Sequence, residues 1–164
     1  MLDVSAWRTP DVRPMLGSMI MKTVIGSASI LSATLAGFYF AYATVITAQG
    51  GVDGTDAMRR MNSAVERPPF LALFFLAPLL AVATAVWIVV AGPRDARGLA
   101  AVFGAVCAIA ACVTTVAINV PLNQRLAAGS VEWATFTRTW GTWNVLRLWL
   151  SLLGAIGMGV AALR

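Results

Sequence analysis

The sequence predicts an all-α integral membrane protein: a four-transmembrane-helix bundle with a short amphipathic helix in the first loop. Three observations predict it. Of 164 residues, 59% are hydrophobic and 12% charged, with a mean hydropathy of +0.80. Soluble domains sit nearer to about 45–50% apolar. The charges cluster between four apolar runs, each close to the ~20 residues a helix needs to cross ~30 Å of hydrocarbon. None of the runs alternates apolar and polar residues as the strands of a membrane barrel would.

Residues 1–22 read as a polar N-terminal segment, loose or interfacial, carrying Pro10 and Pro14. Met1, Met15, Met19 and Met21 are alternative starts. Residues 23–164 form the membrane domain. Its first span, about 23–46, follows Lys22 and runs too long for a cleaved signal peptide. A loop with Gly50, Gly51 and Gly54 comes next. In it, Thr55 or Asp56 caps a short helix, 56–66, which Pro68 and Pro69 end. Met58, Met61 and Val65 make that helix's apolar stripe. It either rests on the headgroups or lies over a site as a lid, with Arg59 or Asn62 inward. The second span, about 70–91, contains Pro78, which should kink it or free a carbonyl. GPRDAR is a tight turn into the third span, about 98–118. Residues 119–138 read as a longer loop in which Ser130 caps the helix that enters the fourth span, about 141–163. Small residues, among them Gly104, Gly154 and Gly157, permit close helix approach.

Charge excludes some partners. The net charge of +5 comes from basic residues scattered at the membrane ends, with no basic stripe interleaved by aromatics, so nucleic acid is not a partner. Anionic lipid headgroups account for the balance. Arg8, Arg13, Lys22, Arg94, Arg97 and Arg164 fall on one side, Arg59, Arg60, Arg67, Arg125 and Arg138 on the other. That small excess places both termini in the cytoplasm, for a chain of the bacterial inner membrane. The chain stands alone, as a homo-oligomer, or within a larger membrane complex; composition does not choose.

With no histidine, histidine-ligated haem, most zinc and copper sites, and Ser-His or Cys-His catalysis are excluded. Cys107 and Cys112 are five apart, about 140° around a helix, and read as small apolar side chains. No metal site and no cofactor is expected.

The distinctive chemistry gathers at one end of the bundle. In the fourth span, Phe136, Trp140, Asn144, Arg147 and Ser151 share one stripe at about 100° per residue, with Trp143 beside it. Arg147 either snorkels to the headgroups or faces the interior. Asn144, one turn earlier, favours the interior, because both groups would otherwise have to leave lipid together. Tyr39 needs a hydroxyl partner at its depth; Tyr42 is an aromatic-belt residue or part of the same site. Asn119 and Asn123 bracket Pro121. One Asn reads as a C-cap before a Pro turn. Two of them beside a buried Asn–Arg pair suggest a shared network, since buried amides require partners.

In that order, GFYFAYAT, AMRRMNSAVERPPF, NVPLNQRLA and FTRTWGTWNVLRLWLSLLGA resemble the anthrone oxygenase-like membrane proteins of the DUF1772 family, over roughly residues 30–160. The strongest parts are NVPLN and the Trp140, Asn144, Arg147 spacing. Family members often carry a His after the matching Asn; here that position is Val145. The resemblance implies a four-span protein and, for a few relatives, oxidation of anthrones by O2 without metal or flavin. On that reading Arg147 and Asn144 are catalytic, holding an oxyanion. Trp140, Trp143, Phe136, Tyr39, Asn119 and Asn123 bind a hydrophobic aromatic small molecule. Glu66, Glu132 and Tyr39 are candidate bases by elimination. A non-catalytic accessory subunit or hydrophobic-ligand binder, its polar network purely structural, fits the same residues.

Overall fold

The computed structural model describes residues 12–45, 48 and 51–163, without the side chains of 12–14 and 51–52. Expectations resting on Arg8, Pro10, Gly50 and Arg164 lie outside them, as does the side chain of Arg13. Helices make up the described residues apart from short connections: α1 Val12–Val45, α2 Gly51–Val65, α3 Phe70–Ala91, α4 Ala96–Thr114, a π-helical segment Thr115–Asn119, α5 Val120–Ala127, and α6 Trp133–Ala162. Among the described residues, four stretches are long and apolar enough to cross a membrane: Met15–Val45, Phe70–Ala91, Ala96–Ala127 and Trp133–Ala162.

Four elements differ from the sequence expectation. The first helix reaches back to Val12, because Pro14 falls in its first turn, where a missing N–H costs little. The loop helix starts at Gly51, so Thr55 and Asp56 lie inside it and do not cap it. The expected loop after the third span is not a loop at its start. Residues 115–127 continue the helix, and Asn119 is neither a C-cap nor followed by a Pro turn. The π turn, closed by Val120 N–H to the Thr115 carbonyl, shifts the backbone ladder by one residue just before Pro121. That wide turn gives the proline ring room within the rod, and Pro121 enters α5 at its start, where it is tolerated. At the next boundary, Ser130 is not the cap either. Its hydroxyl donates to the Arg125 carbonyl at 3.0 Å, and Glu132 precedes α6 without a side-chain cap bond.

The four long helices pack as a ring in the order α1, α6, α4, α3. Small side chains make the interior: Ala28, Ala81, Ala101 and Ala105 are buried with Ile25, Ile88 and Met158. Large apolar residues such as Phe75, Leu79, Phe103, Trp149 and Ile156 point outward, as suits lipid. α4 and α6 approach closely at Gly104, Gly154 and Gly157. Asp95 caps α4, accepting from the N–H groups of Arg97 at 3.0 Å and Gly98 at 3.1 Å. The opposite end is aromatic. There Met58 of α2 is fully buried in a cluster with Tyr42, Leu122, Leu126, Phe136 and Trp140, so α2 is docked on the bundle.

Candidate functional site

Arg147 stands at the middle of α6, about 20 Å from its N-terminal end at 1.5 Å per residue. It is only 5% exposed, so it faces the interior and does not snorkel. A charge at that depth costs several kcal/mol unless neighbours compensate. Three polar bonds do part of this. Its Nε and Nη2 donate to Asn144 Oδ1 at 3.1 and 2.9 Å, and its Nη1 donates to Thr115 Oγ1 at 3.4 Å. The guanidinium also lies over the Tyr39 ring, 4.3 Å from the centroid, and 5.1 Å from that of Trp140, within cation–π range.

Asn144 is the positioning partner. It is fully buried one turn before Arg147, and its Nδ2 donates to the Tyr39 carbonyl at 2.9 Å. That amide therefore ties α6 to α1 and fixes the plane of the guanidinium. Thr115, in the π segment, completes the frame. Its hydroxyl donates to the Ala111 carbonyl at 2.9 Å. With that proton committed, the 3.4 Å contact to the Tyr39 hydroxyl must run from Tyr39 to Thr115. Tyr39 thus finds the partner its depth demands.

Among the described residues, the positive charge has no counter-ion. Among the described residues, Arg147 forms no ion pair; the one that does form joins Arg59 to Asp56 at 3.8 Å, outside the bundle interior. A guanidinium carries five N–H donors, and the three bonds above leave two uncommitted.

Arg147 lines a cavity of about 360 Å³, a size in the range of small-molecule sites, about 300–1,000 Å³. Aromatic walls dominate it: Phe38, Tyr39 and Tyr42 from α1, Phe70 and Phe74 from α3, Trp140 from α6. Polar groups crowd the rim. Arg59, Asn62, Ser63 and Glu66 recur at helical spacing along α2 and its C-terminal end, and all line the cavity. The apolar stripe of the same helix, Met58, Met61 and Val65, packs against the bundle. Asn123 Nδ2 donates to Asn62 Oδ1 at 3.2 Å, and Arg59 Nη2 donates to the Leu126 and Ala127 carbonyls at 3.2 and 3.0 Å. These bonds latch α2 onto α5 over the cavity, a lid in geometry.

The sequence-predicted residues divide accordingly. Arg147, Trp140, Tyr39 and Asn123 line the cavity, and Tyr42 is with them. Asn144 and Asn119 are buried behind its wall. Asn119 donates to the Trp140 carbonyl at 3.4 Å, so it braces α6, while Asn123 bonds the lid; the two amides do not join Arg147 in a single network. Phe136 stacks behind Trp140 with centroids 5.8 Å apart, and half-buried Trp143 does not line the cavity. Of the candidate bases, Glu66 and Tyr39 line it and Glu132 does not. Sequence reasoning missed Thr115 and the phenylalanine walls. The signal for Thr115 was a hydroxyl pair, Thr114-Thr115, in an otherwise apolar run. Among the described residues, no three His, Cys, Asp or Glu side chains gather as a metal site would need.

No curated protein and no solved structure matches this chain. Residues 69–157 match a protein family described as anthrone oxygenase. The match begins at the entrance of α3, runs through the π segment that carries Thr115, and takes in Trp140, Asn144 and Arg147. It covers more than half of the sequence, and the chain belongs to the anthrone oxygenase family.

Proposed function

We propose that this membrane protein oxidises a flat phenolic ketone of the anthrone type with O2, at the methylene of the central ring. One observation carries the reading: a buried guanidinium with no counter-ion among the described residues and two uncommitted N–H groups, at the floor of an aromatic-walled cavity. Such a group is built to receive an anion. Loss of a methylene proton from an anthrone places negative charge on the ketone oxygen. A fixed donor aimed at that oxygen stabilises the charge without reorganising. The rings of Phe38, Phe70 and Trp140 give a planar hydrocarbon its walls. The anion transfers an electron to O2, and the resulting pair combines at the ring carbon as a peroxide. Loss of water from the peroxide, with the second methylene hydrogen, leaves a quinone. One substrate and one O2 give one quinone and one water. The anion itself supplies the electrons, so the reaction as written requires no cofactor.

The experiment is O2 uptake and quinone formation from anthrone by purified protein in detergent, for wild type, Arg147→Ala and Asn144→Ala. Turnover by wild type, lost in Arg147→Ala while the protein stays folded, supports the proposal. No turnover with any anthrone or hydroquinone removes it.

A second reading has its own observation. Asn144 and Arg147 link α1, α6 and the π segment, as a purely structural network would. In a non-catalytic ligand binder or accessory subunit, Arg147→Ala unfolds the bundle instead of silencing it. For orientation, we place both termini on the cytoplasmic side of a bacterial inner membrane; reporter fusions at each end test that.

A further inference from the structure

We propose that Glu66 is the general base of this reaction, working from the rim of the cavity while Arg147 holds charge at its floor. The inference rests on the oxidation proposed above. In an anthrone, the ketone and the methylene stand across the central ring from each other. A residue that holds the ketone oxygen cannot also reach the methylene. The base must come from the other end of the cavity. Arg147 is buried, and Glu66 is exposed, yet both line the same cavity. A ring with its ketone on Arg147 therefore turns its methylene toward the rim.

Glu66 is the sole carboxylate among the described lining residues. Tyr39 also lines the cavity, but its proton is committed to Thr115 and its ring lies under the Arg147 cation. It serves as a wall. Glu132 lies outside the cavity. The position of Glu66 is held from both sides. Its N–H closes the last turn of α2 onto the Asn62 carbonyl at 3.2 Å, and the Asn62 side chain is latched to Asn123 at 3.2 Å. α3 begins four residues later, at Phe70. The residue thus sits at a docked corner between two helices.

The proton bookkeeping closes on this one group. The Glu66 carboxylate takes the first methylene proton, and the electron pair of the C–H bond moves through the ring to the ketone oxygen at Arg147. After O2 adds, the protonated Glu66 returns its proton to the peroxide. The carboxylate then takes the second ring hydrogen as the C=O bond forms and the O–O bond breaks. The released hydroxide recovers that proton and leaves as water, and Glu66 is again a carboxylate.

Proton removal precedes O2, so it can be read alone. The full-length protein in detergent is incubated with anthrone in D2O without O2, and deuterium entry at the methylene is followed above the uncatalysed rate. O2 uptake is measured in parallel. Glu66→Gln should lose the catalysed exchange and turnover together, by roughly a hundredfold or more, with KM little changed. Glu66→Asp should recover part of both, and Glu132→Gln should match wild type. Wild-type exchange rates in Glu66→Gln overturn the assignment and leave the oxygenase reading standing. Exchange without O2 uptake by wild type supports the base and removes the oxygenase reading. O2 uptake by wild type without exchange overturns the assignment alone, and neither exchange nor O2 uptake overturns both.

Discussion

At the scale of single residues, the site is an exercise in keeping one cation inside a membrane. Asn144 offers one oxygen to two N–H groups of Arg147, Thr115 a second, and two aromatic faces cover the plane. This frame suits a planar fork and not a point charge. Arg147→Lys should therefore keep the charge and lose the geometry: kcat falls by roughly 10²–10³, as when an oxyanion donor is removed. Circular dichroism should show a folded bundle, and kcat near wild type would mean that the fork's geometry is unused. Much of this was legible in sequence because Phe136, Trp140, Asn144, Arg147 and Ser151 belong to one helix, where spacing alone fixes the shared face; all five are buried. Thr115 was not legible, since its role is set by the approach of another helix. A second residue-scale prediction concerns Asp95 at the exposed turn before α4. The N–H of Gly98 first, and that of Arg97, hold its carboxyl below the usual range. A lowered folded value means the cap contributes above the unfolded value of about 4, and the contribution fades as pH falls through the folded value. Asn accepts the same bonds at every pH. The melting temperature of wild type should fall relative to that of Asp95→Asn as pH drops from 6 toward 3, a range chosen to bracket that value of about 4.

At the scale of elements, two segments turn a helical bundle into a container. The π segment brings Thr115 to Arg147 and Asn119 to the backbone of Trp140. α2 closes the end, with apolar residues on the bundle and Arg59, Asn62, Ser63 and Glu66 on the cavity. The two faces of α2 were readable from period. The continuation of the helix past Asn119 was not, because Asn followed by Pro signals a stop in any single-sequence reading. What overrides the signal is the π turn, a backbone adjustment without a residue signature. Beyond Met58 and the bonds to α5, α2 has a further close contact: Gly54 lies against the Trp133 ring, and a methyl there would overlap it. Gly54→Ala should lift the lid. Limited proteolysis at Arg59 and Arg60 within α2 should become faster, and KM for an anthrone should rise more than kcat falls. Unchanged protection would show that the ring moves aside.

At the scale of the whole molecule, α4 and α6 pack closely toward one end of the bundle, and a cavity opens at the other. Where Gly104, Gly154 and Gly157 meet, backbones touch with no space between α4 and α6. At the other end, bulky aromatics keep the helices apart and leave the cavity. The two ends depend on each other, since α6 runs from the glycine contact to Trp140, and its position at one end sets where Arg147 sits. Small residues in the spans advertised close packing, but which glycines meet is a property of helix register that one sequence does not carry. A paired substitution tests the dependence. A methyl on Gly104 would lie 2.8 Å from the Gly154 carbonyl oxygen and 2.8 Å from the Met158 nitrogen, both backbone. α6 must shift, at a cost of about 1–3 kcal/mol for overpacking. A methyl on Gly37 of α1 meets nothing within 4 Å; there alanine should stabilise by roughly 0.5–1 kcal/mol through helix propensity. Thermal melts in detergent should therefore move in opposite directions for Gly104→Ala and Gly37→Ala. If the glycine end sets the position of α6, Gly104→Ala should also lower kcat at temperatures well below its melt, while Gly37→Ala leaves it alone. Equal kcat in both would show that the aromatic end holds Arg147 in place by itself.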